Sequence, residues 1–443
     1  MLTGRASVGK CIGEYHIVVA MWVVRHSDGW SRVKYATLAA LSFAILQGLT
    51  PQARGYSILT HEAIIDTLWV DTVQPVLIQR FPTATEEQLR EAHAYAYGGC
   101  LIQDLGYYPF GSHFFSDLTH YVRSADFLAA LLRESRDLNE YAFALGAVAH
   151  YGADVDGHAI AVNRAVPLLY PELRRKFGSE ITYADNPAAH LKTEFGFDVL
   201  QVARGHYAPG AYHDFIGFQL SKDLLDRAFH VTYGLTLKDL FRTLDLALGT
   251  YRFSVSTIVP KVTKTAWSIK GKEIMTEQPT MSRRAFLYNV KRASFEREWG
   301  TVYEHPGFGT HVLALVFRLM PKFGPLKGLQ FRVPTTDTER MFEDSFDAAV
   351  QRDRQSFAQA EAGGLRVSNR DLDTGRPVSP GEYLLTDRTY DKLLRKLAEK
   401  KFDGVTPELR ENVVSFYAQM KMPDRHGIGP QLTALKALAI PRN

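Results

Sequence analysis

The sequence predicts an all-α protein. Three observations carry that prediction. Apolar residues recur at the helical period through most of the region 61–232, and few stretches alternate with period two. Gly/Pro/Tyr clusters at 105–111, 167–171 and 205–212 read as loops between the helical stretches. The chain has 443 residues, enough for two domains or for one large domain with an extension. Hydrophobic residues make up 46%, so a sizeable core can be buried.

Residues 61–80 (HEAIIDTLWVDTVQPVLIQR) place apolar side chains at helical spacing. The next helix, 85–97, opens on Thr85 with Glu87 and Gln88 behind it, a capped start. Residues 124–134, 138–163, 187–204 and 220–232 repeat with the same period. Beyond Tyr251, residues 252–274 and 283–297 read as helical, with Pro260 as a break or kink. His311–Leu319 is a short apolar run compatible with helix or strand, and 321–336 is a Pro/Gly-rich linker. Thr336–Ala362 reads as a helix with Thr336 as its cap and Glu339 three residues later. A loop, 368–383, leads to two more helices at 386–402 and 406–421. The expected division is 1–55 as a leader and upstream segment, 56–250 as the main helical domain and 251–443 as a helical extension.

Arg32 and Lys34 precede the apolar run YATLAALSFAILQGL, which ends at TPQARG. A short basic region, an apolar stretch and small residues at Ala53 and Gly55 describe a secretory signal peptide cleaved between Gly55 and Tyr56. The alternative is an uncleaved anchor, for which the run is short against the ~20 apolar residues of a span. The residues before Arg32 are unusual for a signal, and Met21 is an alternative start. Export to the periplasm or the medium is the expectation. The formal charge of +4 carries no dense Lys/Arg block, so composition does not argue for a nucleic-acid binder and is compatible with an anionic phosphate substrate. Cys11 and Cys100 are the only cysteines, and no CxxC occurs. A bound metal must therefore use histidine and carboxylate.

Such residues are concentrated in two patterns. The first is His150-x3-Asp154-x3-His158, within AFALGAVAHYGADVDGHAIAVN. The second is His190-x3-Glu194, within NPAAHLKTEFGFDV. Side chains four apart share one face of a helix, so each pattern aims imidazole and carboxylate into one region. That donor set suits zinc, and five such residues imply more than one ion. His150 and Asp154 lie in an apolar helix, where an unpaired charge is costly. His61, Asp104 and His120 complete an ordered set of candidates. An ordinary surface pair, an Asx turn at Asp104 and a first-turn helix residue at His61 are the bland alternatives.

In order and spacing this set resembles the zinc-dependent phospholipase C family, whose superfamily also holds single-strand-specific zinc nucleases. The local wording HYVRSADF, AFALGAVAHYGADVDGH and YADNPAAHLKTEF is closer to the phospholipase branch. The resemblance covers about residues 56–200 and implies a multi-helix phospholipase C/nuclease-like fold, followed here by a mostly helical extension. It implies about three zinc ions. One would use Asp104, His120, His150 and Asp154. A second would use the amino and carbonyl groups of a new N-terminal Tyr56, with His61 and Asp154. The third would use His158, His190 and Glu194. Asp154 would bridge the first two, and Asp104 would orient or deprotonate the attacking water. His120 fits the family's gap after the Asp, and His113 is the alternative. The gap between Asp154 and His158 is shorter than in the best-known members, and Gly157 could bend the helix there.

The resemblance thus implies a phosphoric diester hydrolase that cleaves a phospholipid to diacylglycerol and a phosphorylated head group, by attack of a metal-bridged hydroxide. Transient contact with a membrane surface would follow. Tyr107, Tyr108, Phe110, Phe114 and Phe115 could line an apolar cleft, or could be ordinary packing. A zinc nuclease on the same scaffold and a non-catalytic, zinc-stabilised protein are the alternatives. Nucleic acid is not a partner in the leading reading. The extension does not read as a β-sandwich; it could pack on the catalytic helices or form a lid.

Overall fold

A computed structural model describes residues 57–203, 218–255, 331–420 and 427–438. The leader, Tyr56, the expected loop at 205–212 and the segments 283–297 and 311–319 lie outside them, as does 252–274 beyond Val255. The architecture is all-α. Among the described residues there is no strand, only one isolated bridge between Arg370 and Pro377.

The helices run α1 (Ile58–Leu68), α2 (Gln74–Arg80), α3 (Glu86–Ile102), α4 (His113–Tyr121), α5 (Ser124–Glu134), α6 (Leu138–Asp156), α7 (Asn163–Leu169), α8 (Pro171–Phe177) and α9 (Pro187–Ala203). After the undescribed stretch come α10 (Lys222–Tyr233), α11 (Leu237–Leu240) and α12 (Leu244–Phe253). The C-terminal part adds α13 (Thr336–Glu361), α14 (Leu384–Glu399), α15 (Pro407–Ala418) and α16 (Gly429–Ala437).

Helix α6 is the axis of the fold. Every residue from Tyr141 to Asp156 is buried, as a helix apolar on all sides must be. Asp137 caps it by accepting the Glu140 N–H at 2.8 Å. Helix α3 lies against it in backbone contact. A Cβ on Gly99 would sit 1.9 Å from the Phe143 carbonyl oxygen, and one on Gly146 would sit 2.0 Å from that of Ala96. Helix α3 runs to Ile102, beyond the expected end at 97. The pair Gly98–Gly99 serves close approach, not termination. Thr85 and Gln88 form the reciprocal capping box at the start of α3.

Helix α13 crosses the other side of α6. A Cβ on Gly152 would collide with the Asp353 carboxylate, and Arg352 donates to both Asp156 oxygens at 2.7 Å. Phe342 stacks on Phe197 of α9 with ring centroids 4.9 Å apart. One continuous core therefore includes residues on both sides of position 250. The cap of α13 is Thr335, which accepts the Thr338 N–H, not Thr336 as expected.

Two local departures bear on the site. The stretches expected as single helices at 61–80 and 138–163 are each interrupted by a wider π-helical turn, at Trp69–Val73 and Gly157–Val162. The loop expected at 167–171 is narrower, because α7 continues through Pro167. Proline removes the N–H that would pair with the Asn163 carbonyl, and the Ile181 N–H takes that place at 2.9 Å. The sequence reading also had no helix at 113–121. There α4 starts at Ser112, whose hydroxyl accepts the Phe115 N–H.

Candidate metal centre

Eight predicted ligands fall among the described residues, and all eight are buried. His61 stands on α1, Asp104 on the 3-10 turn Gln103–Tyr107, and His120 on the last turn of α4. His150 and Asp154 stand on α6, His158 on the π-turn, and His190 and Glu194 on α9. Tyr56 lies outside the described residues. Their donor atoms form three groups: His61–His150–Asp154, Asp104–His120–His150, and His158–His190–Glu194. His113 belongs to none of the three. It is exposed at the first turn of α4.

Asp154 is the junction. Its Oδ1 lies 3.5 Å from His61 Nε2, while its Oδ2 lies 3.1 Å from His150 Nε2 and 3.3 Å from His120 Nε2. Asp104 Oδ1 is 3.4 Å from His120 Nε2. The turn that carries Asp104 is tied down by Ser116, whose hydroxyl donates to the Gln103 carbonyl and accepts the Gly106 N–H at 2.9 Å.

The fit to a cation can be tested on tautomers. His150 Nδ1 lies 2.9 Å from the Cys100 carbonyl, and His120 Nδ1 lies 2.8 Å from the Ser116 carbonyl. A carbonyl only accepts, so each Nδ1 must carry the proton. In the neutral ring Nε2 is then a lone pair. Those lone pairs point at each other over 3.4 Å and at the carboxylate oxygens. Acceptors facing acceptors in a buried site need a cation between them. Tetrahedral zinc, with ligands at ~2.0–2.2 Å, holds its ligand atoms roughly 3.3–3.6 Å apart. The spacings here fall close to that range.

The third group obeys the same logic with the ring reversed. The Asn163 amide donates through Nδ2 to the Asp373 carbonyl at 2.7 Å, so its Oδ1 faces His190 Nε2 at 2.8 Å. His190 therefore presents Nδ1, 2.6 Å from Glu194 Oε1. His158 Nδ1 is 3.0 Å from the Leu372 carbonyl, which leaves Nε2 buried without a hydrogen bond and 3.8 Å from Glu194 Oε1. The short gap after Asp154 is accommodated by the π-turn, which starts at Gly157 and leaves His158 beside His190 and Glu194.

The electrostatics are those of a proton store in competition with metal. Burial pushes His120 down, but Asp104 and Asp154 outweigh it and its pKa rises to about 10. His150 also rises, burial being outweighed chiefly by Asp154. Burial pushes Asp154 up, yet His150 and His120 hold it well below the usual carboxylate range. Burial, with Asp154 and Asp104 nearby, raises Glu194 well above it. Each proton held this way is one that a divalent cation displaces on binding.

This ordered cluster of buried histidines and carboxylates on an all-α scaffold agrees with an independent comparison. Residues 60–242 match the family model of zinc dependent phospholipase C. The match spans less than half of the chain and contains every predicted ligand from His61 to Glu194. Comparison with curated proteins and with solved structures gave no significant match. The phospholipase C match ends before α12 begins, so it covers neither α13 nor the loop that follows it.

That loop supplies what sequence reasoning missed. Leu372 and Asp373 reach into the site from the far side, together with Asn163, Tyr121 and Tyr383. Only long-range folding brings Leu372, Asp373 and Tyr383 there, and SNRDLDTGRPVSPGEY reads simply as a loop. Of the two readings of the aromatic set, packing holds for four residues. Tyr107, Tyr108, Phe114 and Phe115 are packed in the core, against rings such as Tyr251 and Phe229, and only Phe110 is exposed.

Proposed function

We propose that the protein is an exported zinc-dependent phosphoric diester hydrolase of the phospholipase C type, releasing diacylglycerol and a phosphorylated head group from a phospholipid. The observation that carries the reading is the convergence of imidazole lone pairs and carboxylate oxygens on Asp154, inside the segment that matches the phospholipase C family. His61, His120, His150 and Asp154 would hold two ions, the first with Asp104 and the second with the amine and carbonyl of an N-terminal Tyr56. His158, His190 and Glu194 would hold a third. Zinc bound in such a set supplies Lewis acidity, which acidifies water and offsets charge on a phosphate. Asp104 would orient the attacking water and accept its proton, since its Oδ1 faces the same space as His120 Nε2. A phospholipid substrate would bring the protein to a membrane surface. No helix among the described residues is long and apolar enough to cross one.

The test combines N-terminal sequencing of the secreted protein, zinc counting and assays on phosphatidylcholine and on single-stranded DNA. The expected result is a Tyr56 start, about three zinc ions per chain and release of phosphorylated head group. Asp154→Ala should lose zinc and activity together. An Asp154→Ala protein that keeps both removes the central claim. Cleavage of single-stranded DNA with none of phosphatidylcholine overturns the lipid assignment. A zinc-loaded protein inert on both substrates makes the metal structural.

A further inference from the structure

We infer that Asp373, in the extension outside the family-matched segment, is a positioning residue for the site formed by His158, His190 and Glu194. The inference rests on reading those three residues as zinc ligands. Asp373 is fully buried, and its environment is built around it. Its Oδ2 accepts the Tyr121 hydroxyl at 2.8 Å and also the Tyr383 hydroxyl. Its Oδ1 makes no hydrogen bond and lies 3.7 Å from His158 Nδ1. Its backbone carbonyl accepts the Asn163 amide at 2.7 Å, and the same amide accepts from His190 Nε2 at 2.8 Å. One residue is thus linked to both imidazoles of the group.

The backbone on either side serves the same end. The Leu372 carbonyl accepts from His158 Nδ1, while the Leu372 N–H donates to the His120 carbonyl at 3.1 Å. Leu372 therefore contacts one residue of the His158 group and one of the Asp104–His120–His150 group. Asp371, whose carboxylate accepts the Thr374 N–H three residues on at 2.9 Å, fixes the course of the chain. Gly375 has φ +69°, and a Cβ there would lie 2.7 Å from the Val155 carbonyl, so the turn seats directly on α6. The Leu372 carbonyl fixes the His158 tautomer, and the negative charge of the Asp373 carboxylate 3.7 Å from the same Nδ1 makes Nε2 a better donor to metal. Two tyrosine hydroxyls hold Oδ2, which turns Oδ1 towards His158.

The experiment counts zinc per chain during dialysis of the purified protein against a graded competing chelator. His158→Ala should lose one ion of the set. Asp373→Asn should bind that ion but release it at about 10–100-fold lower chelator activity, the usual cost of losing an outer-shell partner. In the His158→Ala background, Asp373→Asn should change nothing further. Tyr383→Phe, which keeps the ring and removes one hydroxyl, should shift the same ion in the same direction and serves if Asp373→Asn does not fold. If His158→Ala loses an ion while Asp373→Asn and Tyr383→Phe titrate like the wild type, the positioning role is wrong and the zinc reading stands. If Asp373→Asn weakens the remaining ions in the His158→Ala background, its role is generally structural and the proposal is overturned. If His158→Ala keeps every ion, the ligand reading fails and takes the proposal with it.

Discussion

Replacing Gly99 by alanine should damage both the fold and the metal centre, for one geometric reason. The added Cβ would stand 1.9 Å from the Phe143 carbonyl oxygen and 3.0 Å from the Ala147 nitrogen, whereas ordinary contact begins at 3.4 Å. Both opposing atoms belong to the backbone of α6, so no side chain can rotate away. The helices must separate locally by about 1.5 Å, the difference between those two distances. Overpacking of this kind costs about 1–3 kcal/mol. Alanine returns about 1 kcal/mol through its better helix propensity. The balance is tipped by Cys100, the next residue, whose carbonyl holds His150 Nδ1 at 2.9 Å. A separation of that size breaks the hydrogen bond and adds about 1–3 kcal/mol for the buried polar group left without it. The net expectation is a loss of about 1–5 kcal/mol in urea unfolding, with zinc held about 10–100-fold more weakly because the His150 ring is no longer fixed. Gly249→Ala is the control. It lies in α12 with nothing within 4 Å of its Cβ direction, so it should be neutral or gain up to about 1 kcal/mol. A Gly99→Ala protein that is as stable as the wild type, or more stable, and that keeps its zinc refutes the claim that α3 and α6 meet backbone to backbone at the site.

Two further outcomes follow from the extension. Burial first, and Asp373 beside it second, push the Asp371 carboxyl up to about 7. Its folded pKa thus exceeds the unfolded value, and the stability it contributes is complete below about pH 4 and is lost as pH rises through 7. Three pKa units correspond to about 4 kcal/mol, so Asp371→Asn should lack most of a decline of that order in a urea-unfolding series across this window; a parallel profile for the two proteins would exclude the effect. Deleting residues 334–443 removes Leu372 and Asp373 along with α13, and it should lower the melting temperature and strip zinc from the His158 group. An unchanged melting temperature after that deletion would contradict the packing described for Phe342 and Arg352.

The all-α class was legible because it depends on local periodicity, and part of the candidate cluster was legible because two of its pairs are spaced by a single helical turn. His150 with Asp154 and His190 with Glu194 need nothing but an α-helix to meet. What was hidden has two physical sources. One is helix irregularity. The π-turn after Asp156 changes where His158 points, and no periodicity count reveals an extra residue in a turn. The end of α3 was hidden as well: the helix runs on through Gly98 and Gly99, which serve close approach to other backbone. The other source is sequence distance. Tyr121 and Asp373 are 252 positions apart yet share a hydrogen bond. Their meeting depends on α13 crossing α6, which no pattern within either segment encodes. The family match has the same horizon. It ends at residue 242, and so it contains the candidate ligands while omitting the chain that orients two of them. Which candidate residues gather is therefore set largely locally, but their orientation is a property of the whole fold, and substitutions in the extension should reach the candidate metal centre.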